Sequence, residues 1–323
     1  MDNLDKTDIK ILKELLDNSR MPLSKIGKRV RLSRENVHYR IKNLVQKGII
    51  RDFVAFIDYK RLGFEQYTVF LEFEKINAQK EKEIIDYLHK KDNISWIGIL
   101  AGNWSLTFDI YTKDNDELNR ILEEFLIKFR ENIGEYSVLE VLDARYYFNK
   151  MINESESKHN TFETVKTKID EIDIKILKKL NEDSRDSYVD ISEDLKLTPN
   201  AIKQRVKNLE KSGLIQKYTI SINHKSLGFE WHGLQIKLRK QSSDTEKKLK
   251  NYLKADKKVA FYYKYSKTGN YDFDVGIIAK NSSELREFIN ELRNNFYEEI
   301  KIYDTFLVLE EVSSQKLPLI IFE

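Results

Sequence analysis

Sliding the chain along itself by 165 positions aligns Leu4 to Phe64 with Ile169 to Phe229 without a gap, with about 23 identities in about 61 positions. That is far beyond chance and marks an internal duplication. Asp8-Ile9-Lys10-Ile11-Leu12-Lys13 answers Asp173-Ile174-Lys175-Ile176-Leu177-Lys178, and Leu62-Gly63-Phe64 answers Leu227-Gly228-Phe229. The match resumes with Gly102-Asn103-Trp104 against Gly269-Asn270-Tyr271, now displaced by 167, so a two-residue length change lies between. Asn153 to Lys168 is polar and without apolar period, the composition of an exposed linker. A chain of 323 residues built this way holds several domains rather than one.

Within each copy the first part reads as helices. Ile9, Leu12, Leu15 and Leu16 recur at helical spacing and end before Ser19-Arg20; a short helix follows over Leu23 to Val30. After the turn Arg31-Leu32, Ser33 is a good N-cap for a third helix with Val37, Ile41 and Leu44 as its buried stripe and Gly48 as its stop. In the second copy Thr198 caps and Pro199 takes the first helical position. Ile49 to Ile57 is β-rich and predicts a small wing or a strand leading into the next domain. Three helices with a tight turn before the third let that helix enter a DNA major groove.

With its apolar stripe buried, the third helix turns Glu35, His38, Tyr39, Lys42, Asn43 and Gln46 outward, with Asn36 at the edge and Ser33 and Arg34 at its start. These groups can bond base edges and phosphates. The matching set is Asn200, Lys203, Gln204, Lys207, Asn208 and Lys211. Arg40 and Arg205 sit on the flank, as phosphate contacts or structural ion pairs. From Met1 to Arg51 there are about 13 basic and about 6 acidic residues, against about 10 and about 10 from Ile169 to Lys217, so the second head should bind DNA more weakly or serve another partner.

After each Leu-Gly-Phe the pattern alternates. Strands are expected at Tyr67 to Glu74, Ile94 to Leu100, Leu106 to Tyr111 and Tyr136 to Leu142, with helices at Lys80 to Lys90 and Glu117 to Arg130. The second copy gives Leu234 to Leu238, Val259 to Tyr265, Phe273 to Ile278 and Ile302 to Leu309 as strands, and Thr245 to Leu253 and Glu284 to Tyr297 as helices. The order βαββαβ implies a ferredoxin-like sandwich. Apolar residues on both sides of its strands, Phe70, Phe73, Phe108 and Tyr111 among them, suggest that the two bodies pack sheet to sheet. The fold class is therefore α+β, two winged helix-turn-helix domains each followed by a ferredoxin-like domain. The expected boundaries are 1–62, 63–150, a linker at 151–168, 169–227 and 228–323.

These landmarks resemble the Lrp/AsnC, or feast/famine, family as a tandem fusion. Asp5, Asp8, Ile11 and Leu12 fit its first helix, and the Gly-Ile-Ile, Leu-Gly and Gly-x-Tyr-Asp strings fit its later landmarks. The resemblance implies transcription regulation through double-stranded DNA, with dimerisation and further homo-oligomerisation through the ferredoxin-like (RAM) domains. It also implies an effector such as an amino acid near the hairpin Gly269, Asn270, Tyr271 and Asp272. The first copy carries Gly102, Asn103, Trp104 and Ser105, lacking the acid that could pair an ammonium group, and Gly-Asn is also what a tight hairpin turn selects.

No enzyme is expected. The chain has no cysteine, its five histidines (His38, His89, His159, His224 and His232) lack metal-ligand spacing, and no phosphate loop or nucleophile elbow is present, so no catalytic residue, metal or cofactor is assigned. Two rivals remain open: siroheme decarboxylases, which resemble duplicated units of this family and could recruit His224, although the equivalent position of the first copy holds Tyr59, and an interaction module without DNA binding. The acidic start Met1-Asp2-Asn3-Leu4-Asp5 predicts neither a signal peptide nor a membrane span, hence the cytoplasm. The apolar tail Leu317 to Phe322 is expected as a strand or strap docked on a ferredoxin-like body.

Overall fold

Capping chemistry sets the helices of the heads. The computed structural model describes residues 4–147, 150, 152, 168–267, 269–313 and 316–323, so His159 and most of the expected linker lie outside the described residues. Asp5 accepts from the backbone N–H of Thr7 and Asp8, and Asp8 reaches back to the N–H of Asp5, a capping box that starts helix α1 (Lys6–Asp17). Helix α2 (Leu23–Val30) stops where Arg31 turns left-handed at φ +60°. Ser33 accepts from the N–H of Asn36 to start α3 (Arg34–Gln46), whose Val37, Ile41 and Leu44 are buried as the period requires.

Strand β1 (Ile50–Ile57) is followed by the elements of the first body: β2 (Glu65–Phe73), α4 (Ala78–His89), β3 (Ile94–Ala101), β4 (Leu106–Thr112), α5 (Asn115–Phe129) and β5 (Ile133–Tyr146). The second head holds α6 (Glu171–Glu182), α7 (Tyr188–Leu195), α8 (Pro199–Lys211) and β6 (Ile215–Ile222). The second body holds β7 (Glu230–Leu238), α9 (Ser243–Ala255), β8 (Val259–Tyr265), β9 (Phe273–Ala279), α10 (Ser282–Phe296) and β10 (Ile300–Glu311).

Two units result. One comprises Met1–Phe64, Glu156–Asn223 and Ser314–Glu323, that is, both heads and the tail; the other comprises Glu65–Ser155 and His224–Ser313. The tail therefore departs from the expectation that it would dock on a ferredoxin-like body. Leu319–Phe322 forms a short 3-10 helix against α6, and Asn181 exchanges two hydrogen bonds with the backbone of Leu317, at 2.9 and 3.0 Å. Ile321 and Phe322 are buried there, so the apolar run announced burial but not its partner.

In the first unit β1 neither forms a wing of its own head nor stays unpaired: it runs antiparallel to β6, with Val54 opposite Thr219. These two residues occupy the same position in the repeat, so a pseudo-two-fold axis passes between them. Helix α1 packs on β6 and α6 on β1, each head covering the strand of the other. On the same axis the hydroxyls of Ser19 and Ser184, again repeat mates, are hydrogen-bonded at 2.7 Å. Arg20 donates to the carbonyl oxygens of Ser184 and Asp186, while Arg185 donates to that of Ser19.

In the second unit the strand order is β10-β3-β4-β2-β5-β8-β9-β7, closed into a barrel. Each body supplies a ferredoxin-like sheet, but the sheets do more than face one another: β5 pairs with β8 and β10 with β3, so each sheet's edges are satisfied by the other. Alternation sorts the side chains. Val69, Leu71, Phe108 and Ile110 pack beneath α4 and α5, and Leu234, Ile236, Val275 and Ile277 beneath α9 and α10. Phe70, Leu139, Tyr263, Tyr265 and Phe306 fill the interior between the sheets. Lys150 ties the two bodies together: its ammonium donates to the carbonyls of Leu253, Lys254 and Asp256 at the end of α9 and lies 3.7 Å from the Tyr147 ring centroid. Burial pushes its pKa down to about 8.

Candidate nucleic-acid interface

Helix α3 presents Glu35, Asn36, His38, Tyr39, Lys42 and Gln46 to solvent, with Asn43 half-buried; Ser33 and Arg34 at its start are also exposed. Tyr39 is 64% exposed although it is a large aromatic. A cleft of about 370 Å³ opens beside it, between α1 and α3, lined by Asp8, Asn36, Asn43 and Lys47 among others. An exposed aromatic and amide groups above a cleft can stack on and hydrogen-bond to a polar edge.

Arg40 points elsewhere. Its guanidinium bonds Asp5 and Asp8, both at 2.7 Å, and these bonds raise its pKa, that to Asp8 most. Arg205 repeats the arrangement with Asp170 at 2.9 Å and Asp173 at 2.8 Å. Both arginines brace the third helix against the capped start of the first. Charge in the sequence could not separate this role from phosphate contact.

Helix α8 exposes Asn200, Lys203, Gln204, Lys207, Asn208 and Lys211. Here Gln204 donates to the Asn208 side-chain oxygen at 3.1 Å, and Ala201 and Ser212 stand where the first head has Asn36 and Lys47.

The hairpin residues Gly269, Asn270, Tyr271 and Asp272 are brought together, yet their bonds run inward. Asp272 is buried and accepts from Lys237 Nζ at 3.1 Å, from the Leu238 N–H at 2.7 Å and from Gln241 Nε2. In the first copy Ser105 Oγ accepts from the Phe73 N–H at 3.1 Å, the same backbone bond made by a hydroxyl. Tyr271 donates to Asp304 at 2.7 Å, and Asn270 is exposed. A Cβ on Gly269 would lie 2.4 Å from Leu139 Cδ2, and one on Gly102 would lie 3.2 Å from Phe306 Cβ. Gly102 also has φ +142°, so close approach of the opposite copy, beyond turn geometry, asks for glycine.

Sequence reasoning missed two constellations. One is the Ser19, Arg20, Ser184, Arg185 set that joins the heads; its signal was identity at both positions between the copies. The other lies inside the barrel, where Asp109 accepts from Thr68 Oγ1 at 2.7 Å and Asp274 accepts from the Tyr265 hydroxyl at 3.4 Å. Burial pushes each carboxyl up to about 7.

Comparison with known proteins agrees with this architecture. A profile described as winged helix-turn-helix DNA-binding matches residues 4–51, and one described as AsnC-type helix-turn-helix domain matches residues 169–210. An uncharacterized HTH-type transcriptional regulator of Pyrococcus furiosus is 30% identical over 132 residues, 41% of this chain and 86% of that protein. The HTH-type transcriptional regulator FL11 of Pyrococcus horikoshii is 33% identical over 120 residues, 37% of this chain and 78% of that one. The chain belongs to the Lrp/AsnC family of helix-turn-helix, DNA-binding transcriptional regulators. Among solved structures, the siroheme decarboxylase NirDL is similar with a TM-score of 0.64 at 15% identity, covering 97% of this chain and 94% of that one. At that identity the likeness is one of fold. Among the described residues no helix is long and apolar enough to cross a membrane.

Proposed function

We propose that the chain is a sequence-specific regulator that occupies a two-part, asymmetric operator with both heads of one polypeptide, anchored by the first. The observation that carries this reading is the pairing of β1 with β6 about a pseudo-two-fold axis, which joins two reading helices whose exposed residues differ. A symmetric homodimer presents identical helices to a palindrome, whereas here Glu35 faces its half-site where Asn200 faces the other, His38 where Lys203 does, and Tyr39 where Gln204 does. Ser33, Arg34, Glu35, Asn36, His38, Tyr39 and Lys42 make the first contact surface, and Arg40 and Arg205 act by holding their helices in place.

Further assembly through the ferredoxin-like domains, part of the same reading, would use surfaces other than strand edges, because the barrel is closed. A small effector such as an amino acid would meet Asn270 and Tyr271 at the hairpin, and would reach Asp272 only by displacing Lys237.

Changing Tyr39 and Lys42 together to Ala is expected to lower discrimination between operator and random duplex by on the order of 100-fold, two base or near-base contacts at about 1–3 kcal/mol each. The melting temperature should hold, since both side chains are exposed. Competition binding in fixed salt reads the ratio, and an unchanged ratio refutes this reading face. An absorbance band from co-purified tetrapyrrole, with no selective DNA binding, would favour the enzyme rival instead.

A further inference from the structure

We infer that the second head is a backbone clamp, in which α8 grips DNA phosphates through Lys203, Lys207 and Lys211 and reads no bases, leaving sequence selectivity to the first head. This rests on the DNA-binding reading above. The three lysines stand at i, i+4 and i+8, all exposed. They form one row of positive charge about 12 Å long. None of their ammonium groups has a hydrogen bond or ion pair among the described residues. In the first head the same row is His38, Lys42 and Gln46, with a single permanent charge.

The head's even count of acids and bases conceals this row, because α8 itself carries one acid, Glu210, and the others precede it in the chain. Asp170 and Asp173 are held by Arg205 and Asp194 by Lys179. Asp190 closes the capping box of α7 with Ser187, and Asp183 accepts from the Arg185 N–H. The groups suited to base reading are diminished on the same face. Reading an adenine takes a free side-chain amide presenting a donor and an acceptor together. Gln204 and Asn208 engage one another, Gln204 donating one N–H to the Asn208 side-chain oxygen, and Ala201 replaces the amide of Asn36, which leaves Asn200 as the exposed amide outside that pair. What α8 offers DNA most strongly is a row of point charges, which suits a phosphate chain.

The test is the salt dependence of binding by the full chain carrying Lys203→Gln, Lys207→Gln and Lys211→Gln, against an operator duplex and a random duplex of equal length. Gln keeps helix propensity close to that of Lys, so the exposed helix survives. The slope of log affinity against log salt is expected to fall by about 2 to 3, at about 0.9 for each phosphate that is no longer neutralised. Affinity for the two duplexes should drop by the same factor, leaving their ratio within about twofold. A tenfold or larger loss of that ratio would mean that the lysines read bases, and an unchanged slope that the second head stays off DNA; either overturns the clamp. Selection from a library randomised in both half-sites should enrich sequence in one only, and enrichment in both overturns the clamp while leaving the regulator reading intact. If the unsubstituted chain selects nothing, the underlying reading fails and the clamp with it.

Discussion

The chain carrying Asp109→Asn and Asp274→Asn is expected to melt higher than the natural one at pH 8, and to lose most of the pH dependence of its barrel. Both carboxyls are buried, at 3% and 5% exposure, on strands β4 and β9. Asp109 is bonded to Thr68, and Tyr265 reaches Asp274. Each acid also feels its surroundings: Asp109 raises the pKa of Asp274, and the phenols of Tyr146 and Tyr263, bonded to each other at 2.7 Å, lie near enough to feel Asp109.

Burial favours the neutral acid, so each carboxyl titrates at about 7 in the fold against 3.8 as an ordinary aspartate. Between those values the folded chain keeps protons that the unfolded chain has released. Stability therefore falls as pH rises from about 4 to about 7, and the loss is complete above the folded pKa. That rise corresponds to about 4 kcal/mol for one such group, and asparagine, being neutral, avoids the loss. In a unit of this size that is a shift on the order of 10 °C. Thermal melts at pH 5 and pH 8 check it: the natural chain should lose stability between them and the double variant should not. Parallel behaviour of the two chains would show that these acids carry no such cost.

The second large effect concerns the joint between the heads. Arg20 donates to the carbonyls of Ser184 and Asp186, and its guanidinium lies 4.9 Å from the Tyr188 ring centroid and 5.4 Å from that of Tyr218. Arg185 donates to the carbonyl of Ser19 and lies 5.5 Å from the Phe53 centroid, with its pKa lowered by burial. Hydrogen bonds from a charged donor contribute about 1.5–3 kcal/mol each. Changing both arginines to Ala should therefore cost on the order of 4 kcal/mol and leave carbonyls without their donors. In calorimetry the transition of the head unit should move down by on the order of 10 °C while that of the barrel unit stays in place. Lysine at both positions should restore only part of the loss, since it lacks the planar fork that spans two carbonyls and stacks on rings. A head transition that does not move would deny the joint its role.

The elements were legible in the sequence because their causes are local. Asp5, Ser33 and Thr198 announce helix starts, Gly48 a stop, and the stripe of Val37, Ile41 and Leu44 the buried face that leaves Tyr39 and Lys42 outside. Partner choice was less legible, because a period gives burial without naming the neighbour. Ile50 to Ile57 reads as a strand, but nothing in those residues says that β6 rather than its own head completes it. In β2 and β4 the polar positions Gln66, Thr68 and Asp109 alternate with apolar ones as on a half-solvated sheet. They are buried instead, because the second body closes over that face. The duplication held a further signal: Ser19-Arg20 and Ser184-Arg185 agree between the copies, where the outward positions of α3 and α8 mostly differ. Identity between repeats includes the residues that meet on the shared axis, whereas most outward positions of the third helices have diverged.

The central claim, that one chain carries both heads of a DNA-binding regulator, is tested most directly by footprinting the full purified protein on genomic fragments at several salt concentrations. The account predicts that protection appears at selected sites and fades as salt rises, each site comprising two adjoining half-sites covered by a single chain and lacking two-fold symmetry of sequence. Protection without site selectivity or salt sensitivity, or protection confined to palindromes, would contradict it.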